Sequence, residues 1–491
     1  MPPTAEPMIA HAHQQFQELV TYVTGPQTQS ASAYTVELTL FRHLLALGAQ
    51  LLQLFFVTRA AARPRQPVQS PDGTRLTYHD RRPTTYRSVF GRMVFARHAF
   101  TAPGQPVVCP LDAALSLPAR CYSDLLREWM SYSATDASYR ESQTALERIL
   151  GQSLSLQAFE TTAAEATVDA TDFFEQPPAA NTGTDAGPIL VAQADGKGVP
   201  VVAGQLTVRP ARRSKGHPPA MKEAIVTALY TIAPYPRGPD AIVAALLHEV
   251  QARPEPSTSR PQPVAKELRA SLDGKEAALR RLAVRAGQRD HATIQHRVAL
   301  TDGAEALQEQ VRTQLPAYTR ILDIIHAVEY LWGAANGLLG ERHPDRIAWM
   351  RQHLTLLLTG QTTALIAALQ QAAADPTLPT AQQQAVLRTV GYYQRNLPYM
   401  RYDAYLAHGW PIGTGIVEGA CGHVVKDRMQ QAGMRWTLAG AQAVLDLRAV
   451  RLNGDWDAYW QFHRQRQHRR LYPRSEFPTG LAEECALAIS A

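Results

Sequence analysis

Three carboxylates stand where this chain turns or starts a helix: Asp195 in "ADGKGVPV", Asp302 in "TDGA" and Glu418 in "PIGTGIVEGACGHVVKDRM". Carboxylates brought side by side repel and raise one another's pKa. A divalent cation relieves that repulsion. Mg²⁺ takes one or two carboxylates, several waters and phosphate oxygens. With a third carboxylate, two ions can be held, one to activate an attacking hydroxyl and one to stabilise the leaving oxygen. The chemistry open to such a trio is phosphodiester cleavage and transfer. Lys426 and Arg428 follow Glu418 and could meet DNA phosphates, and Lys197 and Arg435 are further basic candidates. The glycines before Glu418 would let backbone pack closely. They are not a nucleotide-binding P-loop, because no Gly-Lys-Ser/Thr ending follows. Taken singly, each Asp-Gly pair is equally a surface turn. Asp323 and His326, at i and i+3 on one helical face, read either as a carboxylate and its imidazole partner or as a helix cap and a core histidine.

The elements that must position these groups follow from pattern and punctuation. Residues 10–60 read as helical, and the apolar run Leu44–Val57 as a core helix, short for a membrane span. The Tyr-, Thr- and Val-rich stretch 76–100 predicts two or three antiparallel strands. Residues 137–170 predict two helices about Gly151, the second starting after Ser153 or Ser155. That is a helix-turn-helix or an ordinary hairpin, and the second helix is acidic rather than basic. Residues 176–188 form a linker by composition, closing an N-terminal region at 1–175. From Ile189, a strand ending at Asp195 and two further strands precede the first helix. A strand ending near Asp302, a helix, a strand ending near Asp323 and a helix follow. This is the order of an RNase H-like mixed sheet, in which the first and fourth strands adjoin and would set Asp195 beside Asp302. The expected core runs over 189–332 and resumes at 409–465 with the Glu418 helix. An all-α insertion occupies 333–408, where Arg388 and Arg395 are candidate DNA contacts or part of a solvated face, and 466–491 is a tail. The expected class is a multidomain α+β and α/β chain.

The 491 residues carry a formal charge of +6, which permits a polyanionic partner without requiring one. The four cysteines contain no CxxC pair, which speaks against a zinc knuckle or a disulfide framework. Reduced thiols are expected, with Cys109 and Cys121 at most half of a metal site. The N-terminus lacks a basic region followed by an apolar run, so a cytoplasmic protein with no membrane partner is expected. Trp332, Trp436 and Trp456 could stack on a base or pack in a core.

At "ADGKGVPV", "ILDIIHAVEYLW", "PIGTGIVEGACGHVVKDRM" and "GMRWTLAGAQAVLDLRAVRLNGDWDAYW", with "TYRSVFG" and "CPLD" upstream, the chain resembles ISKra-type insertion-sequence transposases of the DDE superfamily. The resemblance spans about Thr85 to Trp460. It implies an RNase H-like core, two Mg²⁺ or Mn²⁺ ions, and cleavage and joining of double-stranded DNA at transposon ends and target. A homodimer or larger assembly on nucleoid DNA would be expected. By position it makes Asp195 the first acidic ligand and Glu418 the last. The middle one is Asp302, with Asp323 and His326 as an accessory motif, or else Asp323 itself. The competing expectations are a domesticated, non-catalytic DNA-binding relative and an RNase H-like metal endonuclease.

Overall fold

The computed structural model describes residues 5–63, 65–70, 72–176, 187–202, 204, 220–249, 260–431 and 433–478. Most of the expected linker and the end of the expected tail lie outside them. The chain divides into two compact units, 1–174 with 455–491, and 175–454.

In the smaller unit, β1 (Val68–Gln69), β2 (Arg75–Ser88) and β3 (Gly91–Thr101) form an antiparallel sheet, as the alternation over 76–100 predicts. The helix Tyr139–Leu150 starts with a Ser138/Glu141 capping box and ends at Gly151, whose φ of 66° is left-handed. The helix Leu156–Ala166 follows with Ser155 at its N-cap. Both pack with the helix Asp124–Ala134 around Leu126, Met130, Leu146 and Phe159. The core-helix expectation for Leu44–Val57 is corrected. The helix there runs Ala33–Ala61 and buries only Phe56 and Ala60. It is long and apolar enough to cross a membrane, by length and composition.

The C-terminal boundary also moves. The helix Trp456–Leu471 belongs to the smaller unit rather than to the carboxylate-bearing one. Buried Asp169 is the reason. It accepts from His463 Nδ1 at 2.8 Å and from Arg470 Nη2 at 2.9 Å, and Tyr459 donates to the Ala166 carbonyl. A carboxylate buried this deeply needs charged partners, and this helix supplies them.

The larger unit holds β4 (Ile189–Val201), β5 (Ala220–Ile232), β6 (Val264–Ser271), β7 (His296–Thr301) and β8 (Thr319–Leu322), in spatial order β6-β5-β4-β7-β8. β4, β5 and β6 are antiparallel in sequence, and β7 and β8 run parallel to β4. Two expectations are corrected here. The strand does not end at Asp195. β4 continues to Val201, because all thirteen of its residues pair with β5, so the segment after Asp195 is no new strand. The third antiparallel strand is β6, and it follows the short helix Pro239–Leu246 instead of preceding it. The adjacency of first and fourth strands does hold in the β4–β7 pairing.

Side chains alternate across a strand, and β4 serves two cores. Ile189 and Val191 face one cluster with Val298 and Leu300 of β7 and the helices of 324–406. Leu190, Ala192 and Ala194 face the other, with Leu279, Leu282, Leu307 and Val311. The region 333–408 is helical, as expected, but it is not a separate body. Leu354, Leu365 and Tyr393 share the first core with the sheet, and the expected boundary at 332/333 falls inside the helix Ile324–Leu339.

Candidate active site

Strand parity and register decide where the acidic residues sit. Continuing the alternation from Ile189 and Val191 puts Gln193 and Asp195 on the helical-core face of the sheet. Val298 and Leu300 share that face, and Asp302 follows just past the end of their strand. The β4–β7 register pairs Gln193 with Leu300, and Asp195 and Asp302 each follow two residues later, Asp302 just past the end of β7. The β7–β8 register ends with Thr301 paired to Leu322, Asp302 and Asp323 follow directly, and the Asp323 N–H donates to the Thr301 carbonyl at 2.9 Å. Three neighbouring strands therefore carry a carboxylate in or just past their C-terminal halves, with the Asp302 strand in the middle. Neighbouring strands lie about 4.8 Å apart.

The turn after β7 is specified by Gly303. Its φ is 87°, and a Cβ there would come within 2.6 Å of the Tyr392 hydroxyl and 2.8 Å of Leu322 Cδ1. Asp302 is half-buried and its Oδ1 accepts from the Ala304 N–H at 2.9 Å. The Asp302 carbonyl accepts from Tyr392 Oη at 2.7 Å.

Asp323 is fully buried, and its oxygens are already engaged. Oδ1 accepts from the Thr414 N–H at 2.9 Å, while Oδ2 accepts from the His326 N–H at 3.1 Å and meets His326 Nδ1 at 2.7 Å. It is thus the N-cap of the helix Ile324–Leu339. It also ties the end of β8 to the segment leading into the Glu418 helix. The hydrogen bond to Asp323 raises the His326 pKa to about 9 against the opposing effect of burial, helped by the charges of Asp323, Glu329 and Asp302. His326 is therefore an imidazolium at neutral pH, with part of its ring exposed.

Glu418 lies in the helix Gly415–Ala420, which runs on through a π-helical turn at Cys421–Lys426. Such turns are frequent at functional sites. Glu418 is half-buried, and its Oε1 accepts from Thr414 Oγ1 at 2.6 Å. The buried Cys421 thiol donates to Asp195 Oδ2 at 3.4 Å. Burial, with the charges of Asp195 and Glu418, pushes that thiol up, so it stays protonated. The expectation that the glycines near Glu418 are there for close backbone packing is corrected, since none of them has a neighbour that a Cβ would crowd. A Cβ at Gly413 would touch Asp323 Oδ1 at 3.6 Å, whereas at Gly415, Gly419 or Gly422 it would meet nothing.

One positioning residue escaped the sequence reading. Gln193 is 1 % exposed. Its Nε2 donates to the Tyr230 hydroxyl at 3.1 Å and the Gly413 carbonyl at 3.2 Å, and its Oε1 accepts from the Val417 N–H at 3.1 Å. It clamps the start of the Glu418 helix to the strand that carries Asp195. The available signal was a lone Gln in the apolar run "ILVAQAD", at Asp195 parity.

Asp323, His326 and Glu418 form a potential ligand set, with one ligand atom from each within 4.8 Å of the others. Asp195 and Asp302 are not in it. The bonds already made by Asp323 fit a cap, whereas the Asp302 carboxylate accepts from the Ala304 N–H alone among the described residues. The hard oxygen donors of Asp195, Asp302 and Glu418 suit Mg²⁺ or Mn²⁺.

The expected phosphate contacts divide. Lys426 and Arg435 are exposed and Lys197 is partly so. Arg428 is 0 % exposed and cannot reach a phosphate. Its guanidinium lies over the Trp436 ring at 4.8 Å and donates to Met434 Sδ at 3.1 Å. Trp436 and Trp456 are buried in the protein, which is the core-packing alternative for both. Cys109, Cys121 and Cys421 are free thiols. Neither a protein-family model nor a curated protein sequence matches this chain.

Proposed function

We propose that this protein is a DNA transposase with an RNase H-like catalytic core, cutting the terminal inverted repeats of an insertion sequence and joining the freed ends to target DNA. The observation that carries this reading is the parallel pairing of β4 with β7, whose last partners Gln193 and Leu300 each lie two residues before a carboxylate, Asp195 and Asp302, with Glu418 on a late helix clamped to the same strand. The strand order β6-β5-β4-β7-β8, three antiparallel and two parallel, agrees with an RNase H-like sheet.

In this reading Asp195, Asp302 and Glu418 hold two divalent ions, which supply hydroxyl activation and neutralisation of charge on the phosphate. Thr414 orients Glu418 through its hydroxyl. Asp323 fixes both Thr414 and His326, leaving the exposed edge of the imidazolium to donate to a phosphate oxygen. Lys197, Lys426 and Arg435 hold flanking phosphates. Catalysis is then mainly positioning and charge neutralisation. Both transposon ends must be handled together, so a dimer or larger assembly on nucleoid DNA belongs to the reading.

The test is cleavage and strand transfer of a labelled end duplex with Mg²⁺ or Mn²⁺. Wild type should nick and join, and Asp195→Asn, Asp302→Asn and Glu418→Gln should bind DNA and do neither. Nicking without joining would favour a metal endonuclease. Specific end binding with no nick under any metal would favour a domesticated DNA-binding protein.

A further inference from the structure

A cleft of about 510 Å³ opens among the helices of the larger unit, lined by Tyr330, Gln384, Leu387, Arg388, Gly391 and Arg395. Tyr330 lies one turn beyond His326 on the helix Ile324–Leu339. Its ring stacks on Tyr392 with centroids 3.7 Å apart and planes 7° from parallel. Tyr392 is buried and anchored on the Asp302 carbonyl through its hydroxyl. One face of Tyr330 is therefore backed by a fixed ring, yet the residue remains 38 % exposed.

The other wall is a single face of the helix Thr380–Asn396, where positions 384, 388, 391 and 395 recur at helical spacing. Gly391 sits mid-helix, where glycine is unfavourable relative to alanine. Packing does not require it, since a Cβ there would meet only Arg395 Nη1, at 3.9 Å. What the glycine does is keep the floor of the cleft open. Arg388 is exposed and makes no ion pair among the described residues. Among the described residues Arg395 pairs only with exposed Glu305, at 3.1 Å, and a surface pair of that kind is readily exchanged for a phosphate.

A backed aromatic face, an open floor and two available guanidinium groups call for a planar group carrying phosphate. We infer that this cleft binds one unpaired nucleotide of a DNA strand. Its base stacks on the open face of Tyr330 above Gly391, and its flanking phosphates meet Arg388 and Arg395. Stacking suits the task because every base offers a π-face whatever the sequence. The inference rests on the reading of the protein as a DNA enzyme. It adds that the strand entering the Asp302 end of the sheet is locally unpaired.

The experiment uses the full chain in Ca²⁺. The probes are a single-stranded oligonucleotide carrying one 2-aminopurine and a fully paired duplex, each followed by anisotropy and by 2-aminopurine fluorescence. Wild type should bind the single strand with a quenched fluorophore. Tyr330→Ala should weaken that binding by roughly ten-fold and remove the quench, and Tyr330→Trp should restore both. Gly391→Gln, whose Cβ the packing accommodates, should block the site with a melting temperature no lower than that of wild type. Arg388→Ala should lower the salt slope of single-strand binding by about 0.7. Unchanged affinity and quench in both Tyr330→Ala and Gly391→Gln would overturn the inference, as would wild-type binding to the duplex alone. A wild type that binds neither probe removes the DNA-enzyme reading and this inference with it.

Discussion

Asp302→Asn and Asp323→Asn make a matched pair that separates a ligand from a cap. Asp323 is wholly buried and serves three donors, Thr414 N, His326 N and His326 Nδ1. An asparagine there must turn its NH₂ toward at least one of them. That leaves a buried donor unpaired, at about 1–3 kcal/mol, and weakens the remaining bonds from charge-assisted to neutral. The expected loss is about 2–4 kcal/mol. Asp302 makes one side-chain bond, to the Ala304 N–H, which an asparagine oxygen keeps, so its loss should stay within about 0.5 kcal/mol. The metal response should reverse this order. Mn²⁺ binding to the folded state raises the melting temperature by mass action, and Asp302→Asn should abolish that rise while Asp323→Asn retains part of it. Thermal melts of both variants with and without Mn²⁺ give all four numbers. If Asp323→Asn is as stable as wild type and blind to Mn²⁺ while Asp302→Asn responds normally, the assignment of cap and ligand is reversed.

Other consequences follow from the same contacts. Gln193→Leu orphans the Val417 N–H and the Gly413 carbonyl, and should cost about 2–4 kcal/mol by urea denaturation. At temperatures where the variant is folded, end cleavage should fall further than end binding. Equal loss of both would reduce Gln193 to a core residue. The pH dependence follows from His326. Its folded pKa, about 9, lies above the unfolded value near 6.5. The stability it contributes is fully present below pH 6.5 and is lost as pH rises through 9. His326→Gln should flatten the fall in urea midpoint between pH 7 and 9.5, and a slope identical to wild type would contradict the pairing. In the smaller unit, Asp169→Asn leaves Arg470 and His463 without their buried carboxylate and should cost about 3–5 kcal/mol. Circular dichroism of 1–174 expressed alone should show far less cooperative melting than the same segment supplied with 455–478.

Where a feature depends on near neighbours, the sequence alone determined it. The alternation over 76–100 produced β2 and β3. Gly151 closed the helix Tyr139–Leu150 and Ser155 opened the next, since caps and left-handed turns act within a few residues. The Asp-Gly turn after β7 and the passage from strand to helix at Asp323 were readable for the same reason. Strand order brought Asp195 and Asp302 together in expectation, because adjacent parallel strands fix neighbours once their register is known. The tertiary structure decided the rest. Asp323 is a cap partly because Thr414, 91 residues later, donates to it. Gln193 is a clamp because Gly413 and Val417 arrive more than 200 residues on. Arg428 follows Glu418 like a phosphate contact, yet Trp436 and Met434 enclose it. The helix after Asp455 leaves the carboxylate-bearing unit because buried Asp169 needs its cations. In each case the deciding term is the desolvation of a polar or charged group. Its partner is chosen by proximity in space, and no local pattern records it.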